Sequence, residues 1–87
     1  MKNVTVHKRV CLLHPDLSEH DVVTAWNHIL SSFTRTWTDL RECVAVGVDS
    51  KGRLVEMIAV RSIDSTFMIY HAKTPPTKKV LKEMGLV

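Results

Sequence analysis

Residues 52–73 read GRLVEMIAVRSIDSTFMIYHAK, two β-rich runs separated by a polar interval. Leu54 to Arg61 is rich in β-branched residues and apolar at odd and even positions alike. Phe67 to Lys73 repeats that pattern after Asp64-Ser65, which marks a hairpin turn. If Ser62 faces Phe67 across the turn, Glu56 lies opposite Lys73 and Ile58 opposite His71. A slip of one residue would send Glu56 to the opposite face from His71. Upstream, Val44, Val46 and Val48 alternate with Cys43, Ala45 and Gly47, a strand apolar on both faces. The turn Asp49-Ser50-Lys51-Gly52-Arg53 joins it to Leu54, with Gly52 in the left-handed position of a bulged hairpin. Thr34 to Trp37 reads as a short strand before it. Downstream, Thr74-Pro75-Pro76 stops the sheet, and Thr77 caps a short helix with Val80, Leu81 and Met84 inward and Lys78 and Lys82 outward.

The N-terminal half reads as a strand, Val4 and Val6 around Thr5, running into a helical turn through Val6, Val10 and Leu13. His14-Pro15-Asp16 breaks that turn, because Pro15 lacks an N–H and pushes His14 out of the α region. Ser18 then reads as an N-cap, with Asp21 as the acid of a capping box and Leu17 stapling onto Val22. Val22, Val23, Trp26, Ile29, Leu30 and Phe33 form one apolar stripe, which predicts a single long helix. The expected fold is α+β, an antiparallel sheet of three to four strands with one long N-terminal-half helix packed on one face and a short C-terminal helix. The second face, assigned Val55, Met57, Ala59, Met68 and Tyr70, has only the short helix to cover it. A partner protein or a second copy of the chain, making a homodimer, is expected over the remainder.

Composition agrees with a single domain spanning 1–87. With 45% apolar and 24% charged residues and three Gly and three Pro, the chain can close a core and is neither disordered nor fibrous in type. Twelve Lys and Arg against nine Asp and Glu give a net charge of +3, which tilts toward polyanionic partners. Cys11 and Cys43 have no CxxC spacing and read as buried thiols of a reducing cytoplasm. No stretch approaches the roughly 20 apolar residues of a membrane span, so no membrane association is expected.

His7, Cys11 and His14 would share one face of a continuous helix, but Pro15 frays it at His14 and no second ligand pair follows. No metal and no cofactor are expected. The second hairpin is the better constellation: in the register above, Glu56, His71 and Lys73 put a carboxylate, an imidazole and an ammonium on one patch. That set suits general acid–base chemistry, with a cation to bind phosphate or stabilise a phosphorane, and requires no metal. The alternative is a cross-strand Glu56–Lys73 ion pair with His71 a hydrogen-bonded edge residue. Arg53, Arg61, Lys73, Lys78, Lys79 and Lys82 carry most of the positive charge of this half and would hold an RNA backbone, with Tyr70 or Trp37 to stack a base. A solvated basic helix accounts equally well for Lys78, Lys79 and Lys82.

From Val44 to Leu86 the chain resembles the BrnT-type toxins of bacterial type II toxin–antitoxin systems and the wider RelE-like ribonuclease fold. The resemblance is carried by the Val-rich strand, the turn Gly52-Arg53, the strand Leu54 to Arg61, and Ile69-Tyr70-His71-Ala72-Lys73 before a charged helix. His71-Ala72-Lys73 occupies the place where that family has Ser-Ala-Arg. The resemblance implies metal-independent RNA cleavage, a role for Arg53, Arg61, His71 and Lys73, and a small DNA-binding antitoxin as protein partner. The expectation is therefore a ribonuclease toxin with His71, Glu56 and Lys73 catalytic and Arg53, Arg61 and Lys78 on RNA phosphates. The rival class is a non-catalytic module that binds protein or nucleic acid.

Overall fold

Helix α2 (Glu19–Asn27) starts at the expected capping box in a computed structural model that describes residues 4–35, 42–61 and 66–86. Ser18 Oγ accepts the Asp21 N–H at 3.1 Å, and the Asp21 carboxylate accepts the Ser18 N–H at 2.9 Å. Leu17 and Val22 are both buried in the same core cluster, as a hydrophobic staple requires. Replacing Ser18 with alanine removes the hydroxyl acceptor and is expected to cost about 0.5–2 kcal/mol of stability, read as a lower denaturant midpoint.

The expected long helix does not form. α2 ends at Asn27, with His28 as C-cap, and Ile29–Arg35 is the strand β2. Ile29 packs on the α1–α2 side of the sheet and Phe33 on the α3 side, because the ladder shifts between Ile29 and Ser31, so the helical spacing of the two does not survive as one face. The deciding residues are Ser31, Ser32 and Thr34, weak helix formers that alternate readily in a strand. Along β2, Ile29, Ser31, Phe33 and Arg35 are half-buried, while Leu30, Ser32 and Thr34 are exposed. The strand β3 (Glu42–Val48) supplies the partner, antiparallel from Ile29↔Gly47 to Arg35↔Glu42.

The remaining elements are β1 (Val4–Val6), α1 (Arg9–Leu13), β4 (Leu54–Arg61), β5 (Phe67–Lys73) and α3 (Lys78–Glu83). The sheet has five strands in the order β1-β5-β4-β3-β2, and it is mixed: β1 runs parallel to β5 and the other neighbours are antiparallel. This corrects the expected antiparallel sheet of three to four strands under one long helix, and with it the architecture taken from the family resemblance. The apolar pair Val4 and Val6 joins the edge of β5 and packs against the core, so three residues suffice to extend the sheet.

Both faces are covered from within the chain. On one, Val10 of α1, Leu17, and Val22, Ala25 and Trp26 of α2 pack on Ala45, Val55, Met57, Ala59, Ile69 and Ala72. On the other, Val80 and Met84 of the α3 region pack on Val44, Val46, Phe33 and Ile58. Val55, Met57 and Ala59 thus lie under α1 and α2, and not on the face left to the short C-terminal helix. Gly52 has φ +76°, as the bulged turn requires.

Between β4 and β5 the expected register holds at one end only. Glu56↔Lys73 and Ile58↔His71 pair as read from the sequence, then a bulge shifts the ladder so that Ala59 meets Ile69 and Arg61 meets Phe67. Tyr70 is the extra residue. Ser62 and the Asp64-Ser65 turn lie outside the described residues. Cys11 and Cys43 are both half-buried and are not joined to each other, and among the described residues no helix is long and apolar enough to cross a membrane.

Candidate acid–base site

Glu56 shares a strand face with Ile58, so its carboxylate points toward α3 and is only 3% exposed. A buried carboxylate needs partners, and this one has them on both oxygens. Oε2 lies 2.6 Å from His71 Nε2, and Oε1 accepts the Thr77 N–H at 2.9 Å and the Thr77 hydroxyl at 2.8 Å. The Thr77 oxygen in turn accepts the Val80 N–H at 3.4 Å and caps α3. Glu56 therefore ties β4, β5 and α3 together.

Burial pushes the Glu56 carboxyl up, but the hydrogen bonds from His71 and from both Thr77 donors outweigh it and bring the pKa down to about 2. An ionised carboxylate only accepts hydrogen bonds, so His71 Nε2 must carry the hydrogen. That leaves Nδ1, which has no hydrogen-bond partner among the described residues, as the acceptor nitrogen of the neutral ring. The His71 side chain is 32% exposed, open enough to meet a substrate.

His14 reaches the same place from the other half of the chain. Its ring stands edge-on to that of His71, centroids 6.1 Å apart and planes at 86°. β1 pairs with β5 only over Phe67, Met68 and Ile69, so among the described residues no strand covers the β5 edge at His71. His14 is fixed by its N–H to the Val10 carbonyl and by its own carbonyl, which accepts the Leu17 N–H, both at 3.0 Å.

Lys73 pairs with Glu56 in the ladder, but its ammonium donates to the Pro75 carbonyl at 3.0 Å. The cross-strand Glu56–Lys73 ion pair is not formed, because His71 and Thr77 hold the carboxylate. Arg53 is committed elsewhere: its guanidinium meets Asp49 Oδ2 at 2.8 Å, Asp21 Oδ2 at 3.2 Å and the Asp16 carbonyl at 3.1 Å. Asp21 is held low by the Ser18 backbone N–H above all; burial opposes this, and the Ser18 hydroxyl and the Lys51 and Arg53 charges reinforce it. Burial raises Asp49, but hydrogen bonds and charge from Arg53, with the Lys51 N–H, leave it lowered. Arg53 is thus a clamp between the start of α2 and the β3–β4 turn. It also lines a groove of about 550 Å³ with Leu54, Thr74, Pro75, Pro76 and Leu81.

Arg61 lies five positions along β4 from Glu56, about 16 Å at strand rise, and on the face of Met57 and Ala59. Its guanidinium sits 6.0 Å from the centroid of the Phe67 ring. Arg53, Arg61 and Lys73 therefore do not form one phosphate-binding patch. Lys78, Lys79 and Lys82 are exposed on α3, with Lys78 directly after Thr77. Tyr70 lines a separate groove with His7, Arg9, Val60 and Met68, and Trp37 lies outside the described residues. His7 stands before α1 and accepts the Arg9 N–H at Nδ1, 3.2 Å, so it does not share a helix face with Cys11 and His14.

Of the three residues expected to act together, Glu56 and His71 are hydrogen-bonded and Lys73 turns to the Pro75 carbonyl, while Thr77 bonds Glu56 and His14 stands beside His71. Thr77 was legible only as a helix cap. His14 was legible only as a metal-ligand candidate, although an imidazole held outside the α region before a proline at a helix end is a fixed group. No protein-family model, characterised protein or solved structure matches this chain.

Proposed function

We propose that this chain is a metal-independent endoribonuclease of the toxin type, cleaving RNA by acid–base transesterification at a ribose 2′-OH. The observation that carries the reading is the 2.6 Å hydrogen bond from His71 to a buried carboxylate that Thr77 holds from its other side. A carboxylate that orients an imidazole and sets its tautomer is the arrangement of a general base. His71 Nδ1 takes the 2′-OH proton, the 2′ oxygen attacks phosphorus, and the 5′ oxygen leaves. The Lys73 ammonium has three donors and Pro75 uses one, leaving two for a phosphate oxygen. Lys78, exposed beside Thr77, adds positive charge along the approach. The position of His71-Ala72-Lys73 where BrnT-type toxins have Ser-Ala-Arg supports the same reading, and it makes a small antitoxin protein the expected partner.

The test is incubation of purified protein with mixed-sequence RNA in excess EDTA. The expected products end in 2′,3′-cyclic phosphate and 5′-hydroxyl, and expression without a partner should arrest growth. Intact RNA together with harmless expression would replace this reading with a non-catalytic interaction module, in which Glu56 does no more than join β4, β5 and α3.

A further inference from the structure

We infer that His14 is the second proton-transfer group of this site, the one that protonates the departing 5′ oxygen. This rests on the ribonuclease reading and supplies the half of the reaction that His71 leaves open. In-line attack puts the 2′ and 5′ oxygens on opposite sides of phosphorus, so the group that accepts one proton is badly placed to deliver the other. A second donor must stand beside the first, on the same open edge, with its ring nitrogens uncommitted.

His14 meets each requirement. Its ring lies 6.1 Å from that of His71, on the part of the β5 edge that β1 leaves uncovered. Two rings at this separation can each place a nitrogen about 2.8 Å from one of the two apical oxygens of a phosphate at the open edge. Neither ring nitrogen of His14 has a hydrogen-bond partner among the described residues, while its backbone is held on both sides, by Val10 and Leu17. The other nearby groups are occupied. Glu56 is ionised and its oxygens accept from His71 and Thr77, so it has no proton to give. Lys73 is tied to the Pro75 carbonyl and serves phosphate.

The step balances without a co-reactant. The 2′ O–H bond breaks and its proton goes to His71 Nδ1. A bond forms from the 2′ oxygen to phosphorus, the bond from phosphorus to the 5′ oxygen breaks with its electron pair on that oxygen, and His14 gives it a proton. The products are a 2′,3′-cyclic phosphate and a 5′-hydroxyl. Exchange with solvent returns the proton to His14 and removes one from His71.

A leaving group that needs no proton separates the two roles. The substrates are mixed-sequence RNA, whose leaving group is an alkoxide, and the four nucleoside 3′-(4-nitrophenyl phosphates), whose leaving group is a stable phenolate. His14→Ala is expected to slow RNA cleavage by about 10²–10⁴-fold and to leave nitrophenolate release near the wild-type rate. His71→Ala is expected to slow both. His14→Gln keeps a polar side chain without a titrating proton and must repeat the His14→Ala pattern, which separates lost chemistry from lost folding. Undiminished RNA cleavage by the His14 variants, equal loss on both substrates, or rescue of His71→Ala in place of His14→Ala by the phenolate would each overturn the assignment while the ribonuclease reading stands. A wild-type protein that turns over neither substrate overturns both.

Discussion

Replacing His71 with alanine is expected to slow RNA cleavage by about 10²–10⁴-fold with the fold retained, because Glu56 keeps both hydrogen bonds from Thr77. Glu56→Gln should produce a loss of the same order by a different route. A glutamine at this position presents an amide N–H₂ toward His71 whenever its oxygen accepts from Thr77. The imidazole then avoids a donor-to-donor clash only by moving its own hydrogen to Nδ1, the atom that must accept the substrate proton. The two variants differ in stability against pH. The Glu56 pKa falls from an ordinary 4.5 to about 2 in the folded chain, so the ionised carboxylate contributes stability that is fully present above about 4.5 and is lost as pH falls toward 2. A shift of that size corresponds to about 3 kcal/mol. Denaturant midpoints measured from about pH 5 down to about pH 2 should fall steeply for the wild type and more shallowly for Glu56→Gln. Parallel curves would remove Glu56 from the centre of the site.

What the amino-acid pattern revealed of this site, and what it hid, follows from the range over which each signal acts. Glu56 pairs with Lys73 and Ile58 with His71 as read, although the pairs nearer the turn are one residue off, because the bulge at Tyr70 takes up that residue. The bulge at Tyr70 was not legible, because both strands are apolar on both faces and a one-residue shift leaves the pattern looking the same. The capping box at Ser18 and the left-handed Gly52 are local chemistry and were read correctly. The boundary between α2 and β2 was misread because the apolar residues Ile29, Leu30 and Phe33 continue the helical spacing of α2 into what is already a strand, where Ile29 and Phe33 pack on opposite faces. Arg61 was misplaced although its odd separation from Glu56 along one strand already put it on the other face. Arg53 looked like a phosphate ligand only while the buried carboxylates of Asp21 and Asp49 were unassigned. His14 was out of reach, since its nearness to His71 depends on the parallel pairing of the two most distant strands in the chain.

Gly47→Ala should be far more damaging than the same methyl added at Gly52 or Gly85. A Cβ at Gly47 would lie 1.9 Å from the Ala25 carbonyl oxygen, 2.8 Å from the Ala25 carbonyl carbon and 3.1 Å from the His28 carbonyl oxygen. All three are backbone atoms, so no side-chain rotation relieves the clash. The last turn of α2 rests directly on β3 here, and only glycine permits that approach. Nor can α2 withdraw cheaply. Ala25 and Val22 are fully buried and Trp26 nearly so, and the His28 carbonyl accepts the Val48 N–H at 3.2 Å. Overpacking a core usually costs about 1–3 kcal/mol, and backbone against backbone should reach or pass the top of that range. Against a typical total of about 5–15 kcal/mol, such a loss is large. Gly52→Ala is the control. A Cβ there meets nothing within 4 Å, and only the left-handed φ of +76° resists it, at about 1–2 kcal/mol. Urea midpoints should therefore rank wild type above Gly52→Ala, and Gly52→Ala well above Gly47→Ala. If the two variants fall together, α2 does not sit on β3 as described. The other end of α2 joins the α1–α2 connection that carries His14, so the support of the proposed second imidazole would fall with the helix.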